Sequence, residues 1–268
     1  MSQASRLVDR YGPWTVVTGA SDGLGQACAR YLAGAGFRLV LVARRGAELQ
    51  RLADALPTAQ GERPQILALD LGVESSLAVL LRETAELDVG LLVTAAGFGG
   101  AGPALESDPA TALAMTDLNC RTVLAQTLAF GARFAARKRG GVVLFSSLLA
   151  FQGVPGSAVY AATKAYVQSL AEGLRPEWAP LGIDVLACAP GPVHSGFAER
   201  AGMRLGLALA PERLPRAIFA ALGRRGTVRP GWLSWFVELI LPPGPRRLRS
   251  WILARVIAGM TRPRGEKC

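Results

Sequence analysis

The feature that most constrains this chain is the alternation, from residue 14 to residue 187, of short apolar runs with longer amphipathic stretches. Strands are expected at Trp14–Thr18 (WTVVT), Arg38–Ala43 (RLVLVA), Gln65–Leu69 (QILAL), Gly90–Thr94, Val142–Phe145 and Ile183–Ala187. Helical periodicity falls between them, at Leu24–Ala35, Gly46–Leu56, Glu74–Glu86, about Thr111–Leu118, Asn119–Arg139 and Ser157–Trp178. The early strands carry almost no polar alternation, so both of their faces must be covered. Strand and helix in strict turn then specify an α/β fold: a doubly wound parallel sheet with helices on both sides and its ligand at the carboxyl ends of the strands.

A length of 268 residues fits one large domain of this kind, and a hydrophobic content of 50% excludes a globally disordered chain. The segment Met1–Asp9 is polar and lacks the apolar run of an export signal, and no stretch of about 18 uncharged apolar residues is present to span a bilayer. The four cysteines (Cys28, Cys120, Cys188, Cys268) have no paired spacing, which argues for free thiols in a reducing, cytoplasmic setting. With His194 as the single histidine, neither a multi-histidine metal site nor a Ser/His/Asp triad is expected, and no metal is assigned.

Two local patterns carry chemistry. Thr18-Gly19-Ala20-Ser21-Asp22-Gly23-Leu24-Gly25 lies between the first strand and the first long helix. Glycines there permit a tight turn and close backbone approach, and free N–H groups at a helix start suit a dinucleotide pyrophosphate. An ordinary strand-to-helix turn has a similar composition. The second pattern is Tyr160 with Lys164, i and i+4 at the start of a helix and hence on one face. A lysine cation one turn away is expected to pull the phenol down from its usual value near ~10 toward a working range. A surface Tyr with a solvated Lys would look the same, but Lys164 is one of only three lysines in an arginine-rich chain.

Taken together and in order, these residues resemble the short-chain dehydrogenase/reductase family from Trp14 to Ser195. The family's T-G-x-x-x-G-x-G is Thr18–Gly25, and its Y-x-x-x-K is Tyr160-Ala161-Ala162-Thr163-Lys164. Its serine, thirteen residues before the tyrosine, falls on Ser147, with Ser146 as the rival; its helix-embedded asparagine matches Asn119, and its P-G pair is Pro190-Gly191. The resemblance implies a Rossmann-type sheet and a hydride exchanged between nicotinamide and a carbonyl or alcohol. It also implies Tyr160 as acid/base, Ser147 polarising the substrate oxygen, Lys164 on the nicotinamide ribose, and Asn119 holding a relay water. Cofactor contacts are implied at Gly19, Ser21, Asp22, Gly23, Leu24, Gly25, Asp70, Leu71, Ala95, Gly97, Tyr160, Lys164, Pro190, Gly191, Val193 and Ser195.

The sequence departs from the family at Thr94-Ala95-Ala96-Gly97, where Asn-Asn-Ala-Gly is usual. The strand support normally given by the second asparagine must come from another group. After the second strand, Val42-Ala43-Arg44-Arg45 has no carboxylate before Glu48, so NADP(H) is expected over NAD(H), with Arg44 as the better match to a 2′-phosphate. Phe197–Leu209 is expected to form a helical lid whose Phe197, Met203, Leu205, Leu207 and Leu209 cover an apolar substrate, of acyl, steroid-like or terpenoid kind. His194 is expected to be a loop-surface residue. Pro211–Leu222 reads as one further helix.

Residues 1–228 are thus expected to be the catalytic domain and 229–268 a helical extension. The extension holds eight Arg/Lys against two Glu, six of the chain's ten net positive charges. It contains Trp232, Trp235, Phe236, Leu239, Ile240 and Leu241, a Pro-rich break, and a basic helix at Arg246–Met260. It lacks the short strand and glycine-rich ending of tetrameric ketoacyl-carrier-protein reductases, so their substrate is not carried over. Packing on the body or at a homodimer or tetramer interface, and peripheral contact with an anionic membrane, are both open; nucleic acid is not expected, since no recognition fold accompanies the charge. A nucleotide-binding regulator on the same fold is the alternative function, though it would have no use for Ser147, Tyr160 and Lys164 together. Epimerases and dehydratases of related fold are longer and work on nucleotide-sugars.

Overall fold

A computed structural model describes residues 3–59, 61–194, 196, 208–231 and 246–260. The strands are β1 (Trp14–Thr18), β2 (Arg38–Ala43), β3 (Gln65–Ala68), β4 (Val89–Thr94), β5 (Gly140–Phe145), β6 (Ile183–Cys188) and β7 (Thr227–Val228). All pair in parallel, in the order β3-β2-β1-β4-β5-β6-β7. The direction of winding reverses between β1 and β4, which opens a crevice at their carboxyl ends.

Alternate strand residues enter two separate cores, which is why the strands read as unbroken apolar runs. Val17, Leu41, Val93, Val143 and Leu186 face one layer, made by α1 (Gln3–Tyr11), α2 (Gly23–Gly34), α3 (Gly46–Asp54) and α8 (Pro215–Ala221). Val16, Val40, Leu92, Val142 and Val185 face the other, made by α4 (Ser75–Glu83), α6 (Thr122–Ala136) and α7 (Ala158–Trp178). The doubly wound sheet is therefore as expected.

Three elements differ from the sequence reading. The polar start forms α1, in which Leu7 and Tyr11 supply a buried stripe and the Tyr11 hydroxyl donates to Asp184 Oδ2 at 2.7 Å. Tertiary contact, more than propensity, sustains this short helix. A short strand the sequence does not announce, β7, lies just before residue 229 and joins β6 through Ala187 N to Gly226 O and Ala189 N to Val228 O, both 2.8 Å. Two residues are too few to show a strand pattern. The single helix expected over Pro211–Leu222 is a 3₁₀ turn at Pro211–Arg213 and then α8 from Pro215, because proline starts a helix well and cannot continue one.

Between α5 (Pro109–Thr116) and α6, residues Asp117–Arg121 form a π-helical turn. The extra residue of such a bulge re-aims its side chains, and here it turns Asn119 fully inward. The Arg246–Met260 helix, α9, is present as expected, and its Leu253 is buried against Val154, Ala161 and Leu149. Trp232, Trp235, Phe236, Leu239, Ile240, Leu241 and Cys268 lie outside the described residues.

Candidate active site

The glycine-rich turn is shaped by contacts that leave no room for a side chain. Gly19 has φ +67° and lies against the turn that follows β4, where a Cβ would come within 2.7 Å of Ala95 and Ala96 backbone atoms. A Cβ on Gly25 would meet the Gly19 carbonyl oxygen at 2.2 Å, so α2 seats directly on the turn. Asp22 opens α2 but gives it no side-chain cap; its Oδ2 accepts instead from Gly196 N at 3.2 Å. The crevice is thus walled by a tight glycine cradle with an N-terminal helix turn that its own cap residue does not cover, which fits a bound phosphate.

The departure at Thr94-Ala95 is compensated by hydroxyls. Thr94 Oγ1 donates to Val143 O at 3.3 Å, and Thr18 Oγ1 accepts from Ala96 N at 3.4 Å while lying 3.4 Å from Val93 O. These two threonines tie β1, β4 and β5 together at the crevice. Gly97 must be small, since its Cβ would sit 2.7 Å from Asn119 Oδ1.

At the end of β2 both arginines flank the crevice. Arg44 is exposed and its Nη1 lies 3.9 Å from Asp70 Oδ2; Asp70 Oδ1 in turn accepts from Gly72 N at 3.0 Å. Arg45 lies over the glycine-rich turn, where its Nη2 donates to Ser21 O at 3.2 Å and Ser21 Oγ at 3.1 Å and stands 3.7 Å from Asp22 Oδ2. The sequence favours Arg44 for this role, yet the structure brings Arg45 closer to the turn. Leu71 is buried, with its carbonyl accepting from Thr122 Oγ1 at 2.9 Å.

Ser147, Tyr160 and Lys164 meet at the carboxyl end of β5. Ser147 caps the 3₁₀ turn Leu148–Phe151, accepting from Leu149 N at 3.2 Å, and its hydroxyl hydrogen-bonds the Tyr160 phenol. Ser146 points the other way: its Oγ donates to the Lys164 carbonyl at 3.2 Å. Of the two serines, Ser147 is the one whose hydroxyl meets Tyr160. Lys164 is buried, its Nζ donating to Phe145 O at 2.9 Å and lying 5.8 Å from the Tyr160 ring centroid.

The expected electrostatics need correction. Burial pushes the Tyr160 phenol up to about 12, against a smaller lowering by the Ser147 hydrogen bond. Burial also lowers Lys164 to about 8, opposed by the thiols of Cys120 and Cys188. The lysine therefore does not set the resting value of the phenol; desolvation outweighs it. Both groups are protonated at neutral pH.

Asn119 locks the neighbouring turn. Its Nδ2 donates to Phe98 O at 2.9 Å and to Thr163 Oγ1 at 3.1 Å, and its Oδ1 accepts from Phe98 N at 3.2 Å. Both amide hydrogens are used within the protein. Thr163, inside the Tyr160–Lys164 motif, went unnoticed in the sequence; its only signal was a polar residue three positions after Tyr160 on the buried side of a helix.

Pro190 reaches the serine segment, its carbonyl accepting from Leu148 N at 3.1 Å. Val193 is buried and pairs in a short bridge with Leu209, which is extended and not helical as expected. The adjacent His194 is exposed, as expected. Ser195 and the lid residues Phe197, Met203, Leu205 and Leu207 lie outside the described residues. An open groove of about 530 Å³ runs along the outer face of α7 beside Tyr166, Leu170 and Glu177; Tyr160 does not line it.

The sequence profile described as short chain dehydrogenase matches residues 13–204. The chain is 30% identical over 230 residues to a 7beta-hydroxysteroid dehydrogenase of Clostridium sardiniense, covering 84% of this chain and 88% of that protein. It is 35% identical over 185 residues to a very-long-chain 3-oxoacyl-CoA reductase of Podospora anserina, covering 67% of this chain and 54% of that protein, about half its length. Among solved structures, a short-chain dehydrogenase from Sphingobium yanoikuyae in complex with NADPH superposes with a TM-score of 0.78 at 26% identity, covering 96% of this chain and 99% of that one. With a doubly wound sheet, a glycine cradle at its switch point and a serine, tyrosine and lysine gathered at the end of β5, the chain belongs to the short-chain dehydrogenase/reductase family of oxidoreductases.

Proposed function

We propose that the chain is an NADP(H)-dependent oxidoreductase that interconverts an apolar ketone or aldehyde and its alcohol. One observation carries this reading: the Ser147 hydroxyl bonds the Tyr160 phenol beside a buried Lys164 ammonium. Burying an ammonium is unfavourable, and a protein that only bound a nucleotide would have no use for Ser147, Tyr160 and Lys164 together.

Gly19, Ser21, Gly23, Leu24 and Gly25 would hold the pyrophosphate, with Asp22 fixing the turn. Asp70 and Leu71 would meet the adenine, and Ala95, Gly97, Pro190, Gly191, Val193 and Ser195 the nicotinamide half. Arg44 and Arg45 together would take a 2′-phosphate, whose charge suits two guanidinium groups. When bound, the cofactor supplies or accepts the hydride. Tyr160, neutral at working pH, gives its proton to the carbonyl oxygen, and Ser147 donates a hydrogen bond to that oxygen as charge builds on it. Lys164 binds ribose hydroxyls and holds positive charge beside the phenol. Asn119 is a positioning residue, and any relay water would have to donate to its carbonyl groups. The relatives named for a hydroxysteroid and a very-long-chain 3-oxoacyl group support an apolar substrate. A homodimer or tetramer, and a catalytic body of residues 1–228 with 229–268 as an extension, belong to the same reading.

Two experiments test it. Ser147→Ala is expected to lower kcat by about 10²–10³-fold. Ser146→Ala is expected to affect thermal stability more than turnover, because its hydroxyl serves the Lys164 backbone. Equal kinetic losses in both would remove the assignment. Arg44→Ala and Arg45→Ala are each expected to raise the KM for NADPH by about tenfold or more, with a far smaller change for NADH. Equal changes for the two cofactors would remove the 2′-phosphate contact.

A further inference from the structure

The inner face of α9 accounts for only part of its apolar surface. Leu253 packs on Val154, Leu149 and Ala161, so the helix braces the segment after Ser147 and the residue next to Tyr160. Arg229 adds a second tie, its guanidinium lying 4.3 Å over the Phe151 ring in the same segment. Leu248, Trp251 and Arg255 are spaced three and four residues apart and share another face, about opposite to Leu253. On that face Leu248 is 48% and Trp251 54% exposed, and the Arg255 guanidinium stands 4.7 Å over the indole.

Arg246–Met260 contains four arginines and no carboxylate. A second copy seated on this face through the same helix would bring Arg255 no carboxylate to pair with. An acidic protein surface would match the charge but offers no apolar depth for Trp251 and Leu248. An anionic bilayer offers both, with headgroups for Arg255 and an acyl boundary for the two apolar side chains.

We propose that α9 is a two-sided helix: its inner face holds the serine–tyrosine segment and its outer face rests on an anionic lipid surface. The docking stands on the helix alone. Its consequence, that an apolar substrate enters from the membrane, rests on the function proposed above. Expectations from sequence set packing and membrane contact against each other; on this geometry each takes one face of the same helix.

The test is flotation of the full chain with vesicles of phosphatidylcholine alone and of phosphatidylcholine with an equal share of phosphatidylglycerol. The chain is expected to float only with the anionic vesicles. Leu248→Ser combined with Trp251→Ser is expected to lower that partition by about tenfold or more, without changing thermal stability or turnover of a short water-soluble ketone. A wild-type chain that stays at the bottom overturns the docking, as does equal flotation of the double variant. Self-association that the double variant loses, with no flotation of either protein, also overturns it in favour of a second copy. Flotation lost in the double variant, with no ketone turnover by either protein, supports the docking and overturns the proposed reaction.

Discussion

Tyr160→Phe is expected to lower kcat for NADPH-dependent ketone reduction by about 10²–10⁴-fold, while the affinity for NADPH, read by fluorescence titration, changes far less. The substitution keeps the ring and removes the hydroxyl that Ser147 hydrogen-bonds. The nucleotide cradle is built elsewhere, from the turn after β1 and from Arg44 and Arg45 after β2. A loss of affinity in step with kcat would give the phenol a structural role in place of a chemical one.

Lys164→Met is expected to lower kcat/KM by about 10²-fold or more, and it carries a distinctive pH signature. With its value lowered to about 8 by burial, Lys164 is cationic below that pH and neutral above it. Tyr160, pushed up to about 12, stays protonated through the same range. An alkaline fall of the reductive rate near pH 8 is therefore expected from the lysine, and the methionine variant should lack it. Stability gives a second readout. Between about 8 and its unperturbed 10.5 the folded lysine binds fewer protons than the unfolded one, so wild-type stability gains a rising contribution across that window. Melting temperature against pH should show that contribution in the wild type and not in the variant. An unchanged fall in rate near pH 8 in the variant would assign it to another group.

Much of this arrangement is legible in the chain itself. The strands announce themselves because both of their faces are buried, and the glycine spacing follows from contacts at Gly19 and Gly25 that exclude a Cβ. Ser147, Tyr160 and Lys164 come together where the motif spacing puts them. What escaped depends on long-range contact or on balance between opposing effects. The α1 helix is held by Asp184, 173 residues from Tyr11 in sequence. The two residues of β7 are too few for any pattern, and Arg45 differs from Arg44 only in which side of the crevice its guanidinium reaches. The electrostatics are not legible in the sequence, because one helical turn between Tyr and Lys says nothing of how far each is desolvated, and desolvation dominates both values.

The most direct test is to follow NADPH consumption by the wild-type chain against ketones and aldehydes graded by chain length. The expected result is turnover whose kcat/KM rises as apolar length increases, with NADPH strongly preferred over NADH. If NADPH binds and yet no carbonyl compound at any length oxidises it, the chain is a nucleotide binder and the proton-donor role given to Tyr160 is wrong.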